Sequence, residues 1–286
     1  MITVRTRTLH AAVLKQRIAH SLMYLLLTLY SVACLMPFFW AILNSFKDNT
    51  DILMRSLSLP REWRFDNYPK AWNDAKMGRY FFNTALYAFI STGALLVITP
   101  MAAYVIARVA KRGALLQTFY SLGIMIPVHA TLLPSFLLMR SLGIINTRLS
   151  LVLAYIAFNI SMSVFILVGF MKSLPKELEE AGFVDGASRS YTFFRIIFPL
   201  SKPGLATIGI LAFLNHWNDF LVPLILLTND KLKVITQGLQ ELRGQYGQDY
   251  GLLTAGIVLS FIPVVVMYIA FQEQMIRGLT AGAVKG

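Results

Sequence analysis

The sequence predicts an all-α membrane protein with six transmembrane helices, on three observations. Of its 286 residues, 56% are hydrophobic and only 14% are charged. Six apolar runs are each long enough to cross a hydrocarbon core of ~30 Å, which takes about 20 helical residues. Residues 22–46 are apolar almost throughout and lack the alternation that a lipid-facing barrel strand of about 10 residues requires. Lipid offers no partner to an open backbone group, so such spans read as helices.

In chain order the runs are residues 18–46, 81–109, 114–139, 149–171, 203–227 and 252–276, which together with their loops form a membrane domain over 18–276. Residues 1–17 precede it and hold Arg5, Arg7, Lys15 and Arg17, a basic flank that resists translocation. The first run contains Cys34, the single cysteine, in the stretch SVAC. A signal-peptide core stops after about 7 to 15 residues, whereas this run continues through Pro37, Phe38, Phe39 and Trp40, so it reads as a retained span. One cysteine also excludes an internal disulfide framework or a thiolate metal cluster.

The link 47–80 mixes Trp63, Tyr68 and Trp72 with charges and two prolines, which predicts an ordered loop. Residues 109–113 and 140–148 are short turns, 172–202 is a charged link, 229–251 is the last loop and 277–286 is a tail. Lys and Arg are slightly more numerous on the side of the termini, which places both termini in the cytoplasm and leaves 47–80 and 229–251 outside. Pro37, Pro100, Pro127, Pro134, Pro223 and Pro263 lie within or near the spans and predict bent helices around a pathway. The net charge of +12 is spread over every loop and no span-free domain carries it, which excludes a nucleic-acid-binding patch.

The charged link is the unusual one. Pro175 suits the first turn of a helix, and Glu177, Glu179 and Glu180 then favour the positive end of its dipole. Leu178, Ala181 and Val184 give an apolar edge, while Gly182 and Gly186, four apart, leave bare backbone that another protein can approach. Gly186 suits a left-handed helix end, and Ser188 or Ser190 can cap a second helix running to Pro199. The expected structure is helix, sharp turn, helix.

Glu180, Ala181, Gly182, then Gly186, then Ile196 and Pro199 resemble the EAA motif of permease subunits in binding-protein-dependent ABC importers. The family pattern is E-A-A-x3-G-x9-I-x-L-P; here Gly182 replaces the second alanine and Phe198 the leucine. Further stretches, PFFWAILNSFK, HWNDFLVPL, LQELRGQYGQDYG and RGLTAGAVKG, resemble the carbohydrate branch, the type of the smaller permease subunit in maltose uptake.

The resemblance implies a type I importer permease fold whose link 172–202 holds a coupling helix docked on an ATP-binding subunit. Glu180 would then be the anchoring charge and Gly186 the turn, with Ala181, Gly182, Asp185, Ile196 and Pro199 in the same coupling element. It implies that the tail residues Thr280, Ala281, Gly282 and Gly286 contact the ATPase subunits. It also implies a second permease, two ATP-binding subunits, an external substrate-binding protein, and ATP with Mg held by those partners, with no cofactor on this chain.

Two other residue patterns bear on function. Asn215, Asn218 and Asp219 lie three and four apart in the fifth run and share a helix face; Asp219 stands about 24 Å beyond Pro203 at 1.5 Å per residue. An intramembrane carboxylate lines a pathway or bonds a neighbouring helix, and position alone leaves both open. In maltose-type pairs the sugar is held mainly by the other permease, so the resemblance assigns no substrate residue here.

An ion-coupled secondary transporter is the alternative, but it would need acids or histidines in several spans, and beside Asp219 only the isolated His129 and His216 stand out. A membrane enzyme would need a nucleophile and base or a metal motif, which the sequence lacks. There is no G-x-x-x-x-G-K-[ST] phosphate loop either, so ATP would be hydrolysed by separate subunits.

Overall fold

A computed structural model describes residues 2–245 and 249–283, with side chains described for 16–244 and 249–274. Every regular element among the described residues is helical. Four helices are long and apolar enough to span a membrane: α1 (Ile2–Asn44, with its apolar part at Gln16–Asn44), α3 (Met77–Val109), α6 (Arg148–Ser173) and α12 (Tyr250–Ala283). The short α2 (Asn49–Arg55) follows α1.

Two further apolar stretches are bent rather than straight. The third run divides into α4 (Gly113–Met125) and α5 (Val128–Ser141), at 96° to one another. Ile126 is extended, as a residue before proline prefers, and Pro127 cannot continue the hydrogen-bond ladder. The fifth run divides too: α9 (Lys202–Asn218) stops, Asp219 is extended, and α10 (Leu221–Leu226) restarts. A second bend of 70° lies before α9, between Arg189–Leu200 and Lys202–Asn218, and counting it and the α4–α5 pair once each gives up to six spans. Proline therefore acts more strongly at position 127 than a simple kink, because the break at Ile126 and Pro127 is followed by a helix in a new direction.

α3 and α6 form the centre of the bundle, flanked by α9 and α12. One buried cluster joins Tyr104, Val164, Leu167, Met171, Phe193, Ile197 and Ile208 at the end that carries residues 172–202. At the opposite end Met77, Tyr80, Phe213, Trp217, Leu242 and Leu252 pack together. α1, by contrast, is almost wholly exposed along its apolar length. Contiguous apolar surface on that scale is stable only against lipid or another protein.

The loop after α1 is ordered by buried polar bonds. Asp48 caps α2 through the Asp51 amide at 2.8 Å, and the buried Lys47 donates to the carbonyls of Arg55 and Ser56, each at 2.9 Å. Burial lowers the pKa of this ammonium. α11 (Ile235–Gln245) closes over the same end. There Tyr80 donates to Asp230 at 2.6 Å and Lys76 to its other oxygen at 2.9 Å, which holds the Asp230 carboxyl below the usual carboxylate range.

Candidate functional site

Residues 172–202 fold into α7 (Glu177–Val184), a turn, and α8 (Arg189–Leu200), which meets α9 at 70°. Gly186 takes φ 81°, and the Gly186 amide donates to Phe183 while the Ala187 amide donates to Gly182, closing the helix as a Schellman turn. A side chain at that φ is strained, so glycine fits the corner. Ser188 then starts α8 by accepting from the Tyr191 amide.

The two faces of α7 differ. Leu178, Glu180, Ala181, Phe183 and Val184 are exposed, Val184 to 87%, and Asp185 with them. Gly182 is buried: a Cβ there would stand 3.1 Å from Ile196 and 3.5 Å from Thr192. The close approach that the sequence assigned to another protein at Gly182 is used within this chain, because the glycine faces α8. Ile196 belongs to this internal contact, while Pro199 is exposed.

Glu179 also turns inward, with its side chain about as buried as that of the partner it meets. Its carboxylate lies 3.6 Å from Arg108 Nε, the two side chains being 10% and 4% exposed. Arg108 stands on the last turn of α3, which is wound as a π-helix, and its Nη2 donates to the carbonyls of Met171 and Leu174, each at 2.6 Å. The π-turn Phe193–Ile197 of α8 packs nearby, with Phe193 and Tyr104 rings 5.1 Å apart. One guanidinium thus ties α7 to the ends of α3 and α6. Burial pushes the Glu179 carboxyl up, and the positive charges of Arg108 and Arg189 oppose that shift.

A second feature lies between the spans. Asn215 and Asn218 on α9, and Asp219 just beyond the end of that helix rather than on its face, line a cavity of about 500 Å³ with Tyr155, Phe158 and Asn159 of α6. Asp219 is the residue at which α9 breaks, and its Oδ1 accepts from the Leu221 amide at 3.1 Å, so it both turns the backbone into the restart and walls the cavity. Asn215 donates to Asn159 at 3.1 Å. His216 is buried behind them: Nδ1 is 3.2 Å from Thr92 Oγ1, and Nε2 is 3.1 Å from Asn159 Nδ2 and 3.3 Å from the Tyr155 carbonyl. This histidine, isolated in the sequence, joins α3, α6 and α9.

Of the tail residues, Thr280, Ala281 and Gly282 continue the helical backbone of α12, while Gly286 lies outside the described residues. The sequence reading missed Arg108, which lay at the end of the second apolar run and was given no role, and Glu179, taken only as a helix-dipole charge. The one available signal was that Glu179 and Gly182, three apart, share a face opposite the apolar edge.

A helical bundle with broken spans around a polar cavity defines the class: a membrane permease. More specifically, residues 100–280 match the family described as "binding-protein-dependent transport system inner membrane component", and the chain belongs to that family. It is 36% identical to the diacetylchitobiose uptake system permease protein of Streptomyces coelicolor, over 95% of this chain and 91% of that protein. It is 33% identical to the trehalose/maltose transport system permease protein of Thermococcus litoralis, over 90% and 94%. Among solved structures it is similar to a bacterial ABC transporter involved in import of the acidic polysaccharide alginate, with TM-score 0.76, 25% identity and coverage of 90% of this chain and 96% of that one. Members of the family are transport subunits rather than enzymes, and the membership does not favour the ion-coupled alternative.

Proposed function

We propose that the chain is one of two permease subunits of an ATP-driven importer that receives a carbohydrate from an external binding protein and passes it inward by alternating access. The observation that carries this reading is the two-faced α7: apolar and charged outward at Leu178, Glu180 and Val184, and locked inward through Glu179 to Arg108. An outward face of that kind suits a second protein, and the inward lock delivers its motion to α3 and α6. The named sugar permeases among the relatives support the carbohydrate class.

In this reading both termini and α7 face the cytoplasm, where two ATP-binding subunits hold ATP and Mg and this chain holds no cofactor. Glu180, Ala181, Asp185 and the exposed turn at Gly186 meet the ATPase, and Thr280, Ala281, Gly282 and Gly286 form its second contact. Gly182, Ile196 and Pro199 keep the α7–α8 corner in shape. The loops 47–80 and 229–251 face outward toward the binding protein. Closure of the ATPases shifts α7, Arg108 pulls the ends of α3 and α6, and the bent spans reopen the pathway to the other side.

The test is to purify the tagged chain in mild detergent and to reconstitute what copurifies in liposomes with a labelled neutral disaccharide and its binding protein. A second permease and an ATPase in stoichiometric amount, with uptake that requires ATP, are expected. A chain that comes out alone and transports without ATP would contradict the proposal.

A further inference from the structure

The cavity between α6 and α9 carries an inference about which saccharides pass, resting on the importer reading above. Its lining holds one carboxylate, three carboxamides and an imidazole, with neither lysine nor arginine. A second cavity of about 380 Å³ shares Val128 and Phe158 with it and adds the hydroxyls of Thr131, Ser135 and Ser161, again with no cationic side chain. Both volumes fall in the range of small-molecule sites, roughly 300–1,000 Å³.

The polar groups are supplied in the pattern a neutral, hydroxyl-rich ring uses. Asn215 and Asn218 spend an amino hydrogen on Asn159 and on the Leu214 carbonyl, and no described residue donates to either amide oxygen. Asp219 adds carboxylate acceptors, to which sugar hydroxyls donate. The buried Tyr155 hydroxyl has no hydrogen-bond partner among the described residues, although its ring is held flat against His216 at 4.6 Å. Phe158, common to both cavities, offers an apolar wall.

We infer that this chain itself contributes a solute subsite, formed by Tyr155, Asn159, Asn215, Asn218 and Asp219, that accepts neutral saccharides and rejects anionic ones. An acidic sugar placed there would meet the Asp219 carboxylate with no cation to balance it, and like charges in a partly desolvated site repel strongly. The subsite would therefore differ in charge from that required by an alginate importer, whose solute is acidic.

The single cysteine makes the test direct. In the complete complex carrying Cys34→Ser and Asn215→Cys, the modification rates of a cationic and an anionic methanethiosulfonate reagent are compared. Their ratio is expected to fall roughly tenfold on Asp219→Asn, as removal of a nearby charge at low dielectric dictates, and to be restored by Asp219→Glu. Maltose or diacetylchitobiose is expected to slow modification, and an alginate disaccharide is not. A ratio unmoved by Asp219→Asn, protection by the alginate disaccharide, or absence of protection by either neutral disaccharide would overturn the subsite. These rates are read without uptake or ATP, so a failure of the importer reading shows separately in the copurification.

Discussion

Glu180→Lys is expected to leave the chain in the membrane at normal level and to reduce ATP-driven uptake by at least about tenfold, as reversal of a docking charge at an interface does. Glu180 is exposed on α7 and makes no ion pair within the described chain, so its loss removes no internal support. Glu180→Gln removes the charge without reversing it and is expected to fall between. The measurement is uptake per unit of assembled complex, with ATPase activity followed in parallel. Full uptake by the lysine variant would remove Glu180 from the docking face.

Arg108→Met is expected to act differently, through stability. It removes two hydrogen bonds to carbonyls and takes from the buried Glu179 its ion-pair partner, leaving only the weaker influence of Arg189, and breaking one side of a buried pair costs about 3–5 kcal/mol. The double variant Arg108→Met/Glu179→Gln is expected to recover a large part of that loss, because a neutral amide needs no counter-charge. The sign of the pH dependence follows from the raised Glu179 pKa. A carboxyl whose folded pKa is raised binds its proton more tightly when folded, so its cost is present above that pKa and fades as pH falls through it. Without Arg108 the pKa rises further, and the deficit of the single variant shrinks as pH is lowered from neutrality. Thermal unfolding of the detergent-purified complex across pH reads both effects; a deficit that the double variant leaves untouched would show that the ion pair is not what joins α7 to the bundle.

The elements that local chemistry specifies were legible. Apolar length gave the long spans, and Pro175, the three early glutamates and Gly186 gave a helix and its sharp end where α7 and its turn lie. The apolar edge of Leu178, Ala181 and Val184 was equally legible and is exposed. What spacing could not give was the partner of each inward group. Glu179 and Glu180 are neighbours of one residue type, and only the seating of α7 against Arg108, some 70 positions earlier in the chain, turns one in and leaves the other out. The same holds for His216, whose bonds to Thr92 and Asn159 cross between three helices. The break of the fifth run at Asp219 was hidden because a continuous apolar run reads as one helix, whereas an aspartate accepting from an amide two residues on favours a new start there.

The account stands most directly on what touches the outward face of α7. A photoreactive phenylalanine analogue placed at Val184, which is exposed to 87% and takes no part in the internal lock, reads that contact in the assembled complex. A light-dependent adduct to the ATP-binding subunit, weakened by Glu180→Lys, is the predicted result. An assembled, transport-active complex in which Val184 labels only lipid or the partner permease would contradict it.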